Sequence, residues 1–577
     1  MTKAVSRLRP VFAPLALLLA VSSMDVVDPE PAEALTAPPG FEVENAFPDV
    51  GFVGPIQVVF LPDGRKLVAE QRGYVWTITP EGEKLATPFL DLRTEVGHDH
   101  DLGLLGAAID PDFETNRWVY VGYTVDPNAD GNDNDQDRYC RVSRYQADLA
   151  DPDVADLTTR EDLLGETWPE GIPSLHFSHS IGSLRFAADK TLLIAAGDGG
   201  HHAEVDNGGL DPAAFQPGRT DPDEDIGAFR SRSLNSLAGK ILRVDKETGF
   251  GLPSNPYWDG DPTSDRSRTW SYGHRNPYRF SIRPGTGSPD PADGDPGVLY
   301  VGDVGWNAYE ELQIVRTGGV NHGWPCFEGP DENTPYQAVE TTEAGNDSIL
   351  CDADQNAENP APDVSPALWW HQNDPDLSHP DGWSGTCAIG GVFYTGDDYP
   401  EEYQGRYFLA DYGAGWIRAI EVDEDDEFIG WSAFIENAAG PVDLAVDPAT
   451  GDLYYISIWE GEVRRIRYTL PSAIEEDPDA APSATAEAHA AKSRPNPFRG
   501  VTQIEFELPD ASPVSVRIYD ATGRLVRTIL DARILESGRH SLDWDGRDEN
   551  GARLRAGVYF ARIRIDEERL SRKIVLE

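Results

Sequence analysis

Helical periodicity is nearly absent from this chain, and strands in which apolar and polar residues alternate with a period of two keep returning. The alternation returns in a unit made of a polar turn, an alternating strand and a second strand. It runs from Leu61-Pro62-Asp63-Gly64 into Lys66–Ile78, from Asp110-Pro111-Asp112-Phe113 into Trp118–Val125, and from Ala188-Asp189-Lys190 into Leu192–Ala196. It returns from Pro296-Gly297 into Val298–Val315, from Tyr403-Gln404-Gly405 into Arg406–Val422, and from Asp447-Pro448-Ala449 into Leu453–Tyr468. Each unit has an apolar face too small to bury alone, and radial repetition buries such faces against one another. The pattern therefore predicts an all-β chain whose residues 37–470 form a six-bladed β-propeller; a β-sandwich with large loops is the competing architecture. The insertions Glu204–Arg232 and Glu328–Gly382 account for the uneven spacing, and insertions of that length tend to carry function or wrap a site.

Between Ser472 and Lys492 the chain turns to Ala, Pro, Glu, Asp and Ser without aromatics, which cannot bury a core and reads as a linker, residues 471–493. Clean alternation resumes at Ile504–Leu508, Val514–Tyr519 and Val558–Ile565, as expected of half-buried antiparallel strands in a second domain, 494–577. The phrases Asn496-Pro497-Phe498, Ile518-Tyr519-Asp520-Ala521-Thr522-Gly523-Arg524, Trp544-Asp545-Gly546 and Gly557-Val558-Tyr559-Phe560 resemble the small Ig-like C-terminal domain of exported bacterial proteins. That domain is related to flagellar hook-capping modules and type IX sorting domains. The resemblance implies contact with a secretion machinery or the cell surface; a plain spacer sandwich is the alternative.

Lys3, Arg7 and Arg9 precede an apolar run, Val11 to Val21, that is too short to span a bilayer but suits a signal-peptide core, so residues 1–34 read as a signal peptide and the protein as exported, extracellular, cell-surface or periplasmic. Cleavage after Ala34 and cleavage nearer Ser23 both fit. Asp and Glu outnumber Lys and Arg by 100 to 48, a formal charge of −52, which repels phosphate backbones and excludes nucleic acid as a partner. An oxidising compartment favours disulfides among Cys140, Cys326, Cys351 and Cys387, with Cys326 paired to either Cys351 or Cys387 across the second long insertion.

The densest chemistry lies in Leu175-His176-Phe177-Ser178-His179-Ser180-Ile181-Gly182 and Ala196-Gly197-Asp198-Gly199-Gly200. Two strands separate His179 from Asp198, which places both on loops at one mouth of a propeller. An imidazole titrating near neutrality, oriented by a carboxylate, is the usual composition of a general base. Further on stand Ser271-Tyr272-Gly273-His274-Arg275-Asn276-Pro277, Asp303-Val304-Gly305-Trp306-Asn307 with Glu310-Glu311, and Gly318-Gly319-Val320-Asn321-His322-Gly323-Trp324-Pro325. With Leu237–Asp245, Asn255-Pro256 and Gly390–Tyr394, these motifs resemble in order the glucose/sorbosone dehydrogenase family, soluble quinoproteins that use pyrroloquinoline quinone (PQQ) and calcium. The resemblance implies a sugar dehydrogenase that oxidises an aldose or related polyol and passes electrons to an external acceptor. It implies His179 as the base that takes the hydroxyl proton, Asp198 as its support, Arg275 beside the quinone oxygens, and Asn276 bracing that loop. It also implies the carbonyls of Gly305 and Trp306 as ligands of the cofactor calcium, although the family has proline where Trp306 stands.

The departures matter as much. No lysine occurs between Lys246 and Lys492, the arginine pair expected before the last blade falls at Gly440 and Val442, and a neighbouring glutamine position is Val304. A site for a cofactor with three carboxylates needs replacement cations, for which Arg279, Arg418 or another arginine are candidates. Without them the propeller would be a non-redox module that binds glycan or protein. A calcium-dependent lactonase, drawing on Glu70, Asp198, Asp303, Glu310 and Asp443, is a third reading. Separately, Asp126, Asn128, Asp130 and Asp137 around Gly131 have the alternating oxygen donors of a calcium loop.

Overall fold

The computed structural model describes residues 34–128, 138–353, 355–469 and most of 492–576. All but Ala34 of the expected signal peptide, nearly all of the expected linker, and Asp130 and Asp137 of the expected calcium loop lie outside the described residues; Asp126 and Asn128 follow directly on the strand Trp118–Val125.

Six antiparallel sheets form the body of the molecule, one of them enlarged by a fifth strand. Their innermost strands are Pro55–Phe60, Leu104–Ile109, Ile181–Phe186, Pro277–Ile282, Ala388–Phe393 and Pro441–Val446, and they number blades 1 to 6 in chain order. Each innermost strand touches the next and the sixth touches the first, so the sheets close into a ring. All six units anticipated from the alternation contain the second strand of a blade, beginning with Lys66–Glu70 and ending with Leu453–Ser457. The alternation did not announce the clasp. Phe41–Asn45 pairs antiparallel with Glu462–Tyr468, so blade 6 is built from both ends of the propeller segment.

Inner strands can lie this close because glycine replaces side chains at the contacts. A Cβ on Gly182 would stand 2.5 Å from the Pro277 carbonyl oxygen, and one on Gly390 would stand 2.4 Å from that of Arg279. The axis of the ring is filled by charge. Asp443 of blade 6 lies 3.3 Å from the Arg279 Nε of blade 4 and 3.8 Å from the Arg185 guanidinium of blade 3, while Arg279 also donates to the Ile56 carbonyl of blade 1 at 2.9 Å.

In every blade the innermost strand shifts register against its neighbour within its first residues, from Pro55/Gln57 in blade 1 to Pro441/Leu444 in blade 6. Bulges of this kind re-aim the backbone next to functional sites. Here they mark the end of the ring from which the connecting loops converge.

The insertion after blade 4's third strand is stapled by a disulfide between Cys326 and Cys351, while Cys387 and Cys140 remain thiols. The choice left open in the sequence thus falls on Cys351. In the C-terminal domain a three-stranded sheet and a four-stranded sheet share a core that includes Ile504, Phe506, Val516, Ile518, Trp544 and Ile563, and the three strands expected there are present. Among the described residues no helix is long and apolar enough to cross a membrane.

Candidate active site

Within a blade, the start of the first strand and the end of the second lie side by side. Ile181 pairs with Ala196 in blade 3, and Pro277 with Asp303 in blade 4. The residues just outside these pairs therefore meet at one mouth. His179 precedes Ile181 and Asp198 follows Ala196, and the His179 Nδ1 lies 2.8 Å from the Asp198 Oδ1. Both side chains are buried, at 4% and 1% exposure. The other oxygen of Asp198 accepts from the Trp324 indole at 2.7 Å, and Oδ1 also accepts from the Gly200 N–H at 2.8 Å. Burial alone would push the Asp198 carboxyl up; the His179 imidazole, Arg275 and the Gly200 N–H outweigh it and hold it below the usual carboxylate range. An ionised carboxylate only accepts, so the proton of neutral His179 sits on Nδ1 and its lone pair on Nε2. That nitrogen has no hydrogen bond within the described protein.

The backbone of His179 has φ 57°, a left-handed conformation uncommon for a non-glycine residue and typical of functional positions. Gly197 permits it, because a Cβ there would lie 2.4 Å from the His179 carbonyl oxygen. Asp101, at the start of blade 2, anchors the same residue by accepting the His179 N–H at 3.1 Å, and burial raises its carboxyl. Its second oxygen is buried without a partner.

Blade 4 supplies the cation. The Arg275 guanidinium donates to the carbonyls of Val304 and Gly305 at 3.0 and 2.5 Å and to that of His202 at 3.1 Å, and lies 5.3 Å over the Trp324 ring. Asp303 holds this turn by accepting the N–H groups of Arg275 and Asn276 at 3.1 and 2.7 Å. A second carboxylate shapes the next turn. Glu328 Oε1 accepts the consecutive N–H groups of Trp306, Asn307, Ala308 and Tyr309 at 2.7 to 3.2 Å. In a trans peptide the C=O points opposite to the N–H. Drawing the N–H groups of Trp306 and Asn307 to Glu328 therefore turns the carbonyls of Gly305 and Trp306 away from it. For Gly305 that direction is the one in which the Arg275 guanidinium is met.

The structure thus brings together His179, Asp198, Arg275, Asn276 and Gly305, with Trp306 on the adjoining turn. Asp101, Trp324 and Glu328 complete the site without a local sequence signal for their roles. Trp324 lies in the motif Gly318–Pro325, while Glu328 stands at the head of the insertion Glu328–Gly382.

The candidate replacement cations are elsewhere. Arg279 is committed to Asp443 on the axis, and Arg418 is caged by the rings of Trp383, Trp416 and Trp431 at 4.4 to 4.8 Å. The carboxylates considered for a lactonase do not form one cage. Glu70 accepts the Val53 N–H, Asp303 braces blade 4, Asp443 fills the axis, and Glu310 accepts the N–H groups of Gly305 and Ala388.

Burial and the nearby Asp411 push the Glu310 carboxyl up to about 7 from an ordinary 4.5. A carboxyl whose folded value is raised contributes stability that is fully present below its unfolded value and is lost as pH rises through the folded one. In calcium-free protein, the stability of the wild type relative to Glu310→Gln is expected to fall between about pH 4.5 and 7. Thermal melts of the two proteins across this window check it; equal slopes would contradict the assignment.

Fold and site together define a propeller with a buried imidazole–carboxylate dyad facing a guanidinium and a turned backbone carbonyl. The sequence pattern of the Glucose / Sorbosone dehydrogenase family matches residues 52–351, and the chain belongs to that family; residues 493–566 match the FlgD Ig-like domain. The chain is 26% identical to the HIPL1 protein of Arabidopsis thaliana over 58% of its own length and 46% of that protein. It is 25% identical to quinoprotein glucose dehydrogenase B of Acinetobacter calcoaceticus over 51% and 55%. It therefore spans about half the length of these curated relatives. A crystal structure of glucose dehydrogenase superposes with TM-score 0.50 at 19% identity, covering 74% of this chain and 99% of that one, a likeness of fold.

Proposed function

We propose that the propeller is a PQQ- and calcium-dependent dehydrogenase that oxidises the hydroxyl-bearing carbon of an aldose or related polyol. The observation that carries this reading is the buried His179–Asp198 dyad with its free Nε2 nitrogen, set at the mouth that also holds Arg275. The donor set fits the cofactor at one end. The Gly305 carbonyl already holds a cationic group, the Arg275 guanidinium, at 2.5 Å, and backbone carbonyls are the hard oxygen donors calcium prefers. Gly305 and Trp306 would hold calcium, and Arg275 with Asn276 would hold the quinone. When bound, the quinone would supply the hydride acceptor and calcium would polarise it.

His179 Nε2 takes the proton of the substrate hydroxyl as hydride leaves the same carbon. Asp198 keeps the ring in the tautomer that makes Nε2 the base and stabilises the imidazolium that forms. Arg275 places fixed positive charge where negative charge develops. Trp324 and Asp101 keep the dyad in register from two other loops. Purified protein supplied with quinone and calcium should reduce a dye acceptor in the presence of some member of a sugar panel; sugar-independent reduction, or none, overturns the reading.

A second reading, recognition of a glycan or protein without redox chemistry, is favoured by one observation. Arg279 of blade 4 and Arg418 of blade 5 are engaged elsewhere and no lysine lies between Lys246 and Lys492, so neither a lysine of the later blades nor either of these arginines reaches the mouth. In either case the disulfide and the FlgD-like domain support an exported protein acting at the cell surface, in the periplasm or outside the cell.

A further inference from the structure

The loop after the second strand of blade 3 carries, beyond Asp198, two consecutive histidines that the proton transfer does not use. His176 packs against both, with ring centroids 4.3 Å from His201 and 5.3 Å from His202, and His201 stacks on His202 at 5.1 Å. One ring nitrogen from each of the three lies within 4.8 Å of the other two. A cavity of about 280 Å³ opens on His176 and His201, with Glu204, Asp206, Asp225 and Arg230 also on its wall. We propose that His176, His201 and His202 bind a divalent transition ion of the zinc or copper(II) class, with a coordination position left open toward this cavity.

The donor set selects the ion. Three imidazoles suit zinc or copper(II), whereas calcium requires oxygen donors, so this site and the carbonyls near Arg275 would take different metals. Nitrogens on a common zinc ion at ~2.1 Å stand roughly 3.4 Å apart, so the rings must close by about an ångström. His202 is exposed, its ring nitrogens make no hydrogen bond within the described protein, and it can make that movement.

His176 is already in the tautomer a ligand needs. Ser178 Oγ donates to the Gly200 carbonyl at 3.4 Å and lies 3.1 Å from the His176 Nδ1. The His176 N–H therefore points at the serine and the Nε2 lone pair is free; a metal-bound imidazole usually donates its other N–H to a neighbouring oxygen in this way. His201 must turn. Its Nδ1 accepts the N–H groups of Ala203 and Glu204 at 3.1 and 3.0 Å, and both donors are on exposed residues where water replaces the ring.

The test is calorimetric titration of full-length protein, free of any histidine tag and in calcium-containing buffer, with zinc chloride. One zinc per chain is expected, displaceable by copper(II) and not by added calcium. Affinity should fall about 10-fold or more in His202→Ala, whose exposed side chain does not support the fold, and in His176→Gln. Zinc should also speed hydrogen exchange at the amides of Ala203 and Glu204 as His201 releases them. Absence of stoichiometric binding overturns the assignment, as does parental affinity in His202→Ala or unaltered exchange at Ala203 and Glu204.

Discussion

Replacing His179 with alanine is expected to lower kcat/KM for sugar oxidation by roughly 10³-fold, the scale on which a positioned general base acts. The substitution removes the nitrogen that receives the hydroxyl proton and leaves the carbonyls near Arg275 untouched, so calcium affinity should stay at the parental value. The loss should therefore appear in turnover of the loaded protein. Steady-state assays alongside calcium titration separate the two effects. Activity that survives in His179→Ala would remove His179 from the reaction, and with it the role of Asp198, which acts through that ring.

Glu328 carries the second large effect, through calcium and not through the proton. One of its oxygens collects the N–H groups of Trp306 through Tyr309, and the opposite faces of those peptides present carbonyls. In Glu328→Ala these N–H groups lose their common acceptor, and the turn is free to rotate its carbonyls. Calcium affinity should fall about 10- to 100-fold, as when an outer support of a metal site is removed. Glu328→Gln keeps an acceptor oxygen and should recover much of the affinity, which a general loss of folding would not allow. Calorimetry with calcium chloride on the three proteins checks this; equal affinities would show that the turn holds its shape without the carboxylate.

The second strands of the blades were legible because each is a short stretch rich in aliphatic and aromatic residues entered by a polar turn, and both signals are local; packed between neighbouring sheets, strands such as Leu192–Ala196 and Leu453–Ser457 are buried on both faces. The dyad was legible for the same reason. The distance along the chain from His179 to Asp198 is that of a hairpin whose register closes Ile181 on Ala196. What escaped the sequence is what the ring closes over long separations. Phe41–Asn45 carries no sign that its partner is Glu462–Tyr468, and the Trp324 indole meets Asp198 from 126 residues away. Glu328 was hidden differently, since an acidic residue at the head of a polar insertion looks like solvated surface until its backbone donors are seen.

Arg279 and Arg418 show the limit on side chains. Arg418 lies within the strand unit Arg406–Val422 and Arg279 just beyond the motif Ser271–Pro277, but whether a guanidinium reaches the mouth depends on the neighbours that capture it. Asp443 on the ring axis captures Arg279 from another blade, while Arg418 is held by Trp416 of its own strand together with Trp431 of the next strand and Trp383 of a loop.

The most direct test of the central claim is calorimetric titration of the calcium-loaded protein with PQQ. The dehydrogenase account predicts stoichiometric binding that depends on calcium and is lost in Arg275→Ala. Absence of binding would contradict it, leave the propeller and its dyad as described, and move the function of the mouth to recognition.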